Sequence, residues 1–318
     1  MDRPRARLVL VLGVTLAASA MAGAATLFPL HAGRWVAQGF DPAKVLSKQP
    51  AECLSKAADE EAAYKIEIGR AAFRTPLLLG GQAARAGLAC NSCHRNGHNN
   101  PSFFFHGLSG APGTADVTSS LFSSKRGDGI DNPFPIRDLS ATPDKLVILH
   151  NRQNPNLQNF IHGQITDEFN GAEPPPAVME GIAAYVRALS PDACPAIKEE
   201  AITVRGVMDD AQRAARVAGI ALGKKDPDTA VLMLSSARTQ LGLVYERYAG
   251  PSLQRERTAI HDSDLDLAAL QDAIRAGRKE APADLAVWSA GAPRLTVLLE
   301  KSEKRSLFDP AQLARAER

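Results

Sequence analysis

Apolar positions recur at helical spacing through most of the second half of the chain. Val204, Val207, Met208, Ala211, Ala215, Ala218 and Leu222 share one face, as do Ala230, Leu234, Ala237, Leu241, Val244 and Tyr248. Each set predicts an amphipathic helix. Turn residues between Gly223 and Pro227, and at Gly250-Pro251, separate the two helices from each other and from a third, expected from about Leu253 to Ala276. A fourth is expected to begin near Ala283, break at Gly291-Ala292-Pro293 and resume through Leu295, Leu298 and Leu299. Short connections between such helices predict an antiparallel bundle, with no strands in it.

The first half reads differently. Helical spacing over Tyr64 to Phe73 and over Ala177 to Leu189 is separated by long stretches rich in Gly, Pro, Asn and Ser. Of the 17 aromatic residues only Tyr245, Tyr248, Trp288 and Phe308 lie beyond Cys194, so composition changes where the pattern changes. Two prolines in Ser190-Pro191-Asp192-Ala193-Cys194-Pro195 mark the boundary. The expected class is all-α, with one helical domain over 50–194 and a helical bundle over 195–318.

The N-terminus has the form of an export leader. Arg3, Arg5 and Arg7 precede an apolar run from Leu8 to Ala20 that ends in Ala18-Ser19-Ala20, an A-x-A cleavage pattern. No charge appears from Leu8 to Leu30, a length that also spans a hydrocarbon core. The expectation is a cleaved leader over 1–24, the alternative an uncleaved anchor to residue 30. Both place the remainder in the periplasm.

The chemistry is concentrated in one pentapeptide. Cys90-Asn91-Ser92-Cys93-His94 spells C-x-x-C-H, in which two thiols form thioethers with the haem vinyl groups and the next imidazole becomes the proximal iron ligand. Chance alone would produce it in about one chain in a thousand of this composition. A zinc half-site would call for a second cysteine pair, and a thioredoxin-type pair for an α/β pattern. The remaining cysteines, Cys53 and Cys194, are single and far apart. In an oxidising compartment they are expected to form a disulfide closing the ends of the first domain, the alternative being two unrelated buried thiols. One covalent haem c is the cofactor expected.

Several further segments carry a family resemblance. Gly69 to His94 with its Leu77-Leu78-Leu79-Gly80-Gly81 run, Asn132-Pro133-Phe134-Pro135-Ile136-Arg137-Asp138-Leu139, Glu173-Pro174-Pro175-Pro176 and Ala183 to Leu189 together resemble a haem domain of the bacterial di-haem cytochrome c peroxidase superfamily. The resemblance covers roughly residues 64 to 190. It implies a cytochrome c-like fold in which the helix bearing Gly69 and Phe73 crosses the closing helix bearing Tyr185, the glycine permitting close approach. The family carries two haems and this chain has one haem peptide, so peroxidase activity does not transfer with the fold.

The same resemblance implies a distal ligand in the segment Phe160-Ile161-His162-Gly163, where Ile161 stands at the family's methionine. His162 is the leading candidate for the sixth ligand. His150, Met179, the pair His98 and His106, or no protein ligand at all are the alternatives. Arg137 is a candidate cation for a haem propionate, or a solvated loop charge. Glu168 is a candidate acid/base for an open distal site, or a solvated carboxylate. Phe103-Phe104-Phe105 lines a haem edge or belongs to the core. His261 reads as a surface or capping residue.

The formal charge of +2, with no basic stripe interleaved with aromatics, gives no sign of a nucleic-acid partner. These readings predict a periplasmic monohaem c-type cytochrome that carries out one-electron transfer with a redox partner protein. The alternatives are a peroxidase-like enzyme and a haem-based sensor that signals through the bundle.

Overall fold

The computed structural model describes residues 29–119, 121–125, 129–140, 157–194 and 198–316. The leader segment and His150 lie outside the described residues. Most of the structure is helical. The helices are α1 (Pro42–Ser47), α2 (Glu60–Phe73), α3 (Pro76–Leu79), α4 (Gly81–Arg85), α5 (Cys90–Cys93), α6 (Leu157–Gly163), α7 (Pro176–Ala188), α8 (Val204–Gly223), α9 (Pro227–Arg247), α10 (Gln254–Arg275), α11 (Ala281–Glu300) and α12 (Pro310–Ala316). The strands, all short, are β1 (Lys48–Pro50), β2 (His94–Arg95), β3 (His98–Asn99), β4 (Thr114–Ala115), β5 (Phe134–Pro135) and β6 (Glu199–Ala201). They pair antiparallel as β1–β6, β2–β3 and β4–β5.

Helix α2 begins where Asp59 accepts from the Ala62 amide at 2.7 Å, with Glu60 and Glu61 in the positive first turn. It crosses α7 at two glycines. A Cβ on Gly69 would lie 1.9 Å from the Gly181 carbonyl oxygen, and one on Gly181 would lie 2.7 Å from Ile68. The backbones therefore touch. Beside the crossing, the Phe73 and Tyr185 rings pack with centroids 5.2 Å apart.

Helices α8 to α11 form the antiparallel bundle, closed by α11 returning to α8. Ala211, Ala215 and Ala218 let α8 approach α9 closely, and Met208, Met233, Leu234 and Leu241 fill the space around them. The expected break at Gly291-Ala292-Pro293 is absent: α11 runs through Pro293. Its buried face, Leu285, Trp288, Ala292, Thr296 and Leu299, keeps one stripe on both sides of the proline. An interior proline costs about 3 kcal/mol, and burial of several large side chains at roughly 1.5–3 kcal/mol each offsets it.

The bundle half also contains a strand that the sequence pattern did not suggest. Strand β6 has no hydrophobic alternation. It pairs with β1 beside the Cys53–Cys194 disulfide, whose Cα atoms are 5.4 Å apart and which holds the flanking segments side by side. Beside it the Ser190 amide donates to the Cys53 oxygen (2.9 Å) and the Ala51 amide to the Lys198 oxygen (3.2 Å).

One buried apolar cluster runs from α2 and α7 into the bundle. At the seam, the buried Ser236 hydroxyl on α9 donates to the Ala71 carbonyl at 2.9 Å. A second cluster of Leu30, Ala43, Leu46 and Leu313 packs α1 against α12. No described helix is long and apolar enough to cross a membrane.

Candidate haem-attachment site

The two cysteines lie on the single turn α5, partly buried against the main core. The residues between them hold the turn in place. Ser92 Oγ accepts from the Ala89 amide (3.0 Å) and Asn91 Oδ1 from the Asn96 amide (2.8 Å). Asn100 Nδ2 in turn donates to the Ser92 carbonyl at 2.9 Å. Asn96 has φ 51° and Gly97 φ 87°, a left-handed pair that turns β2 back into β3. A Cβ on Gly97 would meet Leu189 at 2.4 Å, so the turn packs directly under the end of α7.

His94 Nδ1 is 2.9 Å from the Arg137 carbonyl oxygen. An imidazole that donates through Nδ1 keeps the Nε2 lone pair free for a metal. Three contacts fix that carbonyl. The Ile136 amide donates to Gly113 (2.9 Å), the Leu139 amide donates to Gly97 (2.7 Å), and the Asp138 carboxylate pairs with His98 Nδ1 (3.0 Å). The Arg137 side chain is exposed.

Burial lowers the His94 pKa against the opposing effects of the Arg137 carbonyl and Asp138, so the ring is neutral at pH 7, the form a metal needs. Burial also pushes the Cys90 and Cys93 thiols up to about 12. Both are free. Among the described residues no three His, Cys, Asp or Glu side chains converge as a metal site. Haem makes no such demand, since the porphyrin supplies four nitrogens to the iron. Two thiols on one turn with an adjacent imidazole whose Nε2 is free are a donor set that fits haem c.

His98 has one nitrogen on Asp138 and the other 3.2 Å from the Ala51 oxygen, a structural role. His106 is exposed beside Phe104. Met179 is buried within α7. His162, at the end of α6, is 40% exposed and its Nε2 lies 2.7 Å from Glu173, so coordination through that nitrogen would require the pair to open. Glu168, by contrast, is buried at 5% exposure. Phe103 is core, while Phe105, Phe122 and Phe169 form a chain of rings with centroids 5.2 and 5.9 Å apart. His261 is exposed on α10.

Sequence reasoning missed an ionic cluster behind the site. Glu52 is bound by Arg70 and by Arg74 (2.6 Å), and Tyr185 donates its hydroxyl to the same carboxylate at 2.7 Å. Arg74 also donates to Asn96 Oδ1 (2.8 Å), and both arginines lie near Asp210 on α8, at 3.5 and 3.7 Å. Burial by itself would raise the Glu52 pKa, but Arg74, Arg70 and the hydrogen bonds outweigh it and hold the carboxyl at about 2. The spacing of Arg70 and Arg74, one helical turn apart, was the available signal; their partner lies outside that helix.

No family model, curated protein or solved structure matches this chain.

Proposed function

We propose that this chain is a periplasmic c-type cytochrome that carries one covalent haem and passes single electrons to or from a redox partner protein. The observation that carries the reading is the C-x-x-C-H turn whose histidine is fixed through Nδ1. Bound haem would supply a reversible one-electron couple at the iron. Cys90 and Cys93 anchor it, His94 presents Nε2, and the 136–139 segment holds that ring in one orientation. The likeness to a di-haem peroxidase haem domain belongs to this proposal, as does export through the N-terminal leader.

A second reading, a peroxidase-like site, is favoured by the burial of Glu168, six residues after His162. A buried carboxyl is a candidate proton donor or acceptor where a solvated one is not.

The test is the haem content and the absorption and electron paramagnetic resonance spectra of the purified protein, with His162→Ala alongside. One covalent haem per chain and a low-spin ferric state that turns high-spin in the variant support electron transfer with His162 as the sixth ligand. A high-spin wild type that reacts rapidly with peroxide transfers support to the enzyme. Absence of covalent haem ends both readings.

A further inference from the structure

A cavity of about 440 Å³ lies between the rear of α5 and the bundle. Asn91 and Ser92 form one wall, Val45 and Leu46 of α1 another, and Leu243 and Arg247 of α9 a third. Its charged lining is unevenly matched. Glu52 is taken by Arg70 and Arg74 and Asp210 by Arg213, while Glu200 keeps its charge at the rim, accepting only from the neutral Gln49 amide at 2.7 Å, so the lining carries more guanidiniums than carboxylates.

Arg95 and Arg247 also line the cavity; Glu199 acts on the first and Glu246 on the second through space, but neither carboxylate forms an ion pair with them. Arg95 Nη2 donates to the Val45 and Lys48 carbonyls at 3.0 and 2.5 Å. Arg247 donates to the Leu46 carbonyl at 2.7 Å and the Leu307 carbonyl at 2.8 Å. Two guanidiniums thus converge on the C-terminal end of α1. Among the described residues no carboxylate comes within 4.0 Å of either.

The end of a helix offers roughly half a negative charge, and the Phe308 ring under Arg247, 4.7 Å away, adds a small attraction. Together with the distant Glu199 and Glu246 carboxylates these compensate the two positive charges only in part, since burial still outweighs them at both arginines. Arg247 is only 8% exposed, where an unmatched charge is costly. A guanidinium with spare N–H groups facing an open cavity recognises oxyanions, singly or in a fork.

We infer that this cavity binds a small dianion with several oxygens, of the phosphate or dicarboxylate class, between Arg95 and Arg247. The site stands on the charge and shape of the seam between the two lobes and does not depend on the electron-transfer reading. It lies behind Asn91 and Ser92, so an occupant would touch the back of the haem-attachment turn while also holding the bundle.

The test is calorimetric titration of the purified full chain, whatever its haem content, with inorganic phosphate and, separately, malonate, the ionic strength being held constant with chloride. One saturable site per chain is expected, the tighter ligand naming the class. Arg247→Gln should weaken binding roughly tenfold, the worth of a charge-assisted hydrogen bond. Because Arg247 also ties three segments together, Leu243→Glu is the second variant. Leu243 is exposed one turn before Arg247, and a glutamate there supplies a carboxylate of the chain's own. It should abolish binding and raise the melting temperature in buffer free of both anions. No saturable binding of either probe overturns the inference, and so does binding that Leu243→Glu leaves unchanged.

Discussion

His94 is oriented by the main chain of Arg137, whose carbonyl oxygen lies 2.9 Å from the imidazole Nδ1 across 43 residues of sequence. The interaction uses an atom that every residue has. Arg137→Ala is therefore expected to keep the wild-type haem content and ferric spectrum, as read by absorption and electron paramagnetic resonance. Asp138→Ala removes the carboxylate that ties His98 to this segment. It should cost about 1–3 kcal/mol in urea unfolding and broaden the low-spin signal.

Gly69→Ala tests the helix crossing. The new methyl has no rotamer by which to avoid the Gly181 carbonyl, so α2 and α7 must separate. The expected loss is at or above the upper end of the ~1–3 kcal/mol usual for overpacking, with lower haem incorporation. Thermal unfolding and the yield of covalently loaded protein measure the two effects.

Glu52 predicts an acid limb. Its carboxyl is held at about 2 in the folded protein against 4.5 ordinarily, so its contribution is complete above about pH 4.5 and disappears as pH falls towards 2. Roughly 3 kcal/mol is at stake. In urea titrations between pH 6 and pH 3, wild type should lose stability that Glu52→Gln does not. At pH 7 the variant should be about 3–5 kcal/mol less stable, since it leaves Arg70 and Arg74 without their shared carboxylate.

The Cys53–Cys194 disulfide closes a loop of 141 residues. Replacing both cysteines by serine should cost about 3–5 kcal/mol on the chain-entropy account and release the pairing of β1 with β6. Denaturant unfolding of the double variant checks the energy. Hydrogen exchange at Ala51 and Ser190, whose amides donate across the seam, checks the location.

Much of the helical architecture was legible before the structure. Helices α7, α8 and α9 lie where apolar spacing placed them, because each buries one stripe and the stripe sets the period; α2 begins at Glu60, ahead of the expected Tyr64, and α10 was bounded by turn residues alone. Local rules failed at Pro293 and at β6. In the first case the buried face of α11 outweighs the proline's penalty. In the second, Glu199–Ala201, which has no strand pattern of its own, pairs with β1 beside a disulfide that joins cysteines 141 residues apart.

The sequence by itself determined the chemistry on offer: two thiols and an imidazole at fixed spacing, a glycine facing an aromatic-bearing helix, and an even pair of further cysteines. Those are short-range facts, written in consecutive or periodic positions. Only the tertiary structure decided which atoms serve the site. That Arg137 acts through its carbonyl, that Glu52 is shared by Arg70, Arg74 and Tyr185, and that Arg95 and Arg247 meet at one helix end are contacts between distant segments. Backbone oxygens carry no residue signature, and the partner of a buried charge is set by which segments the core brings together.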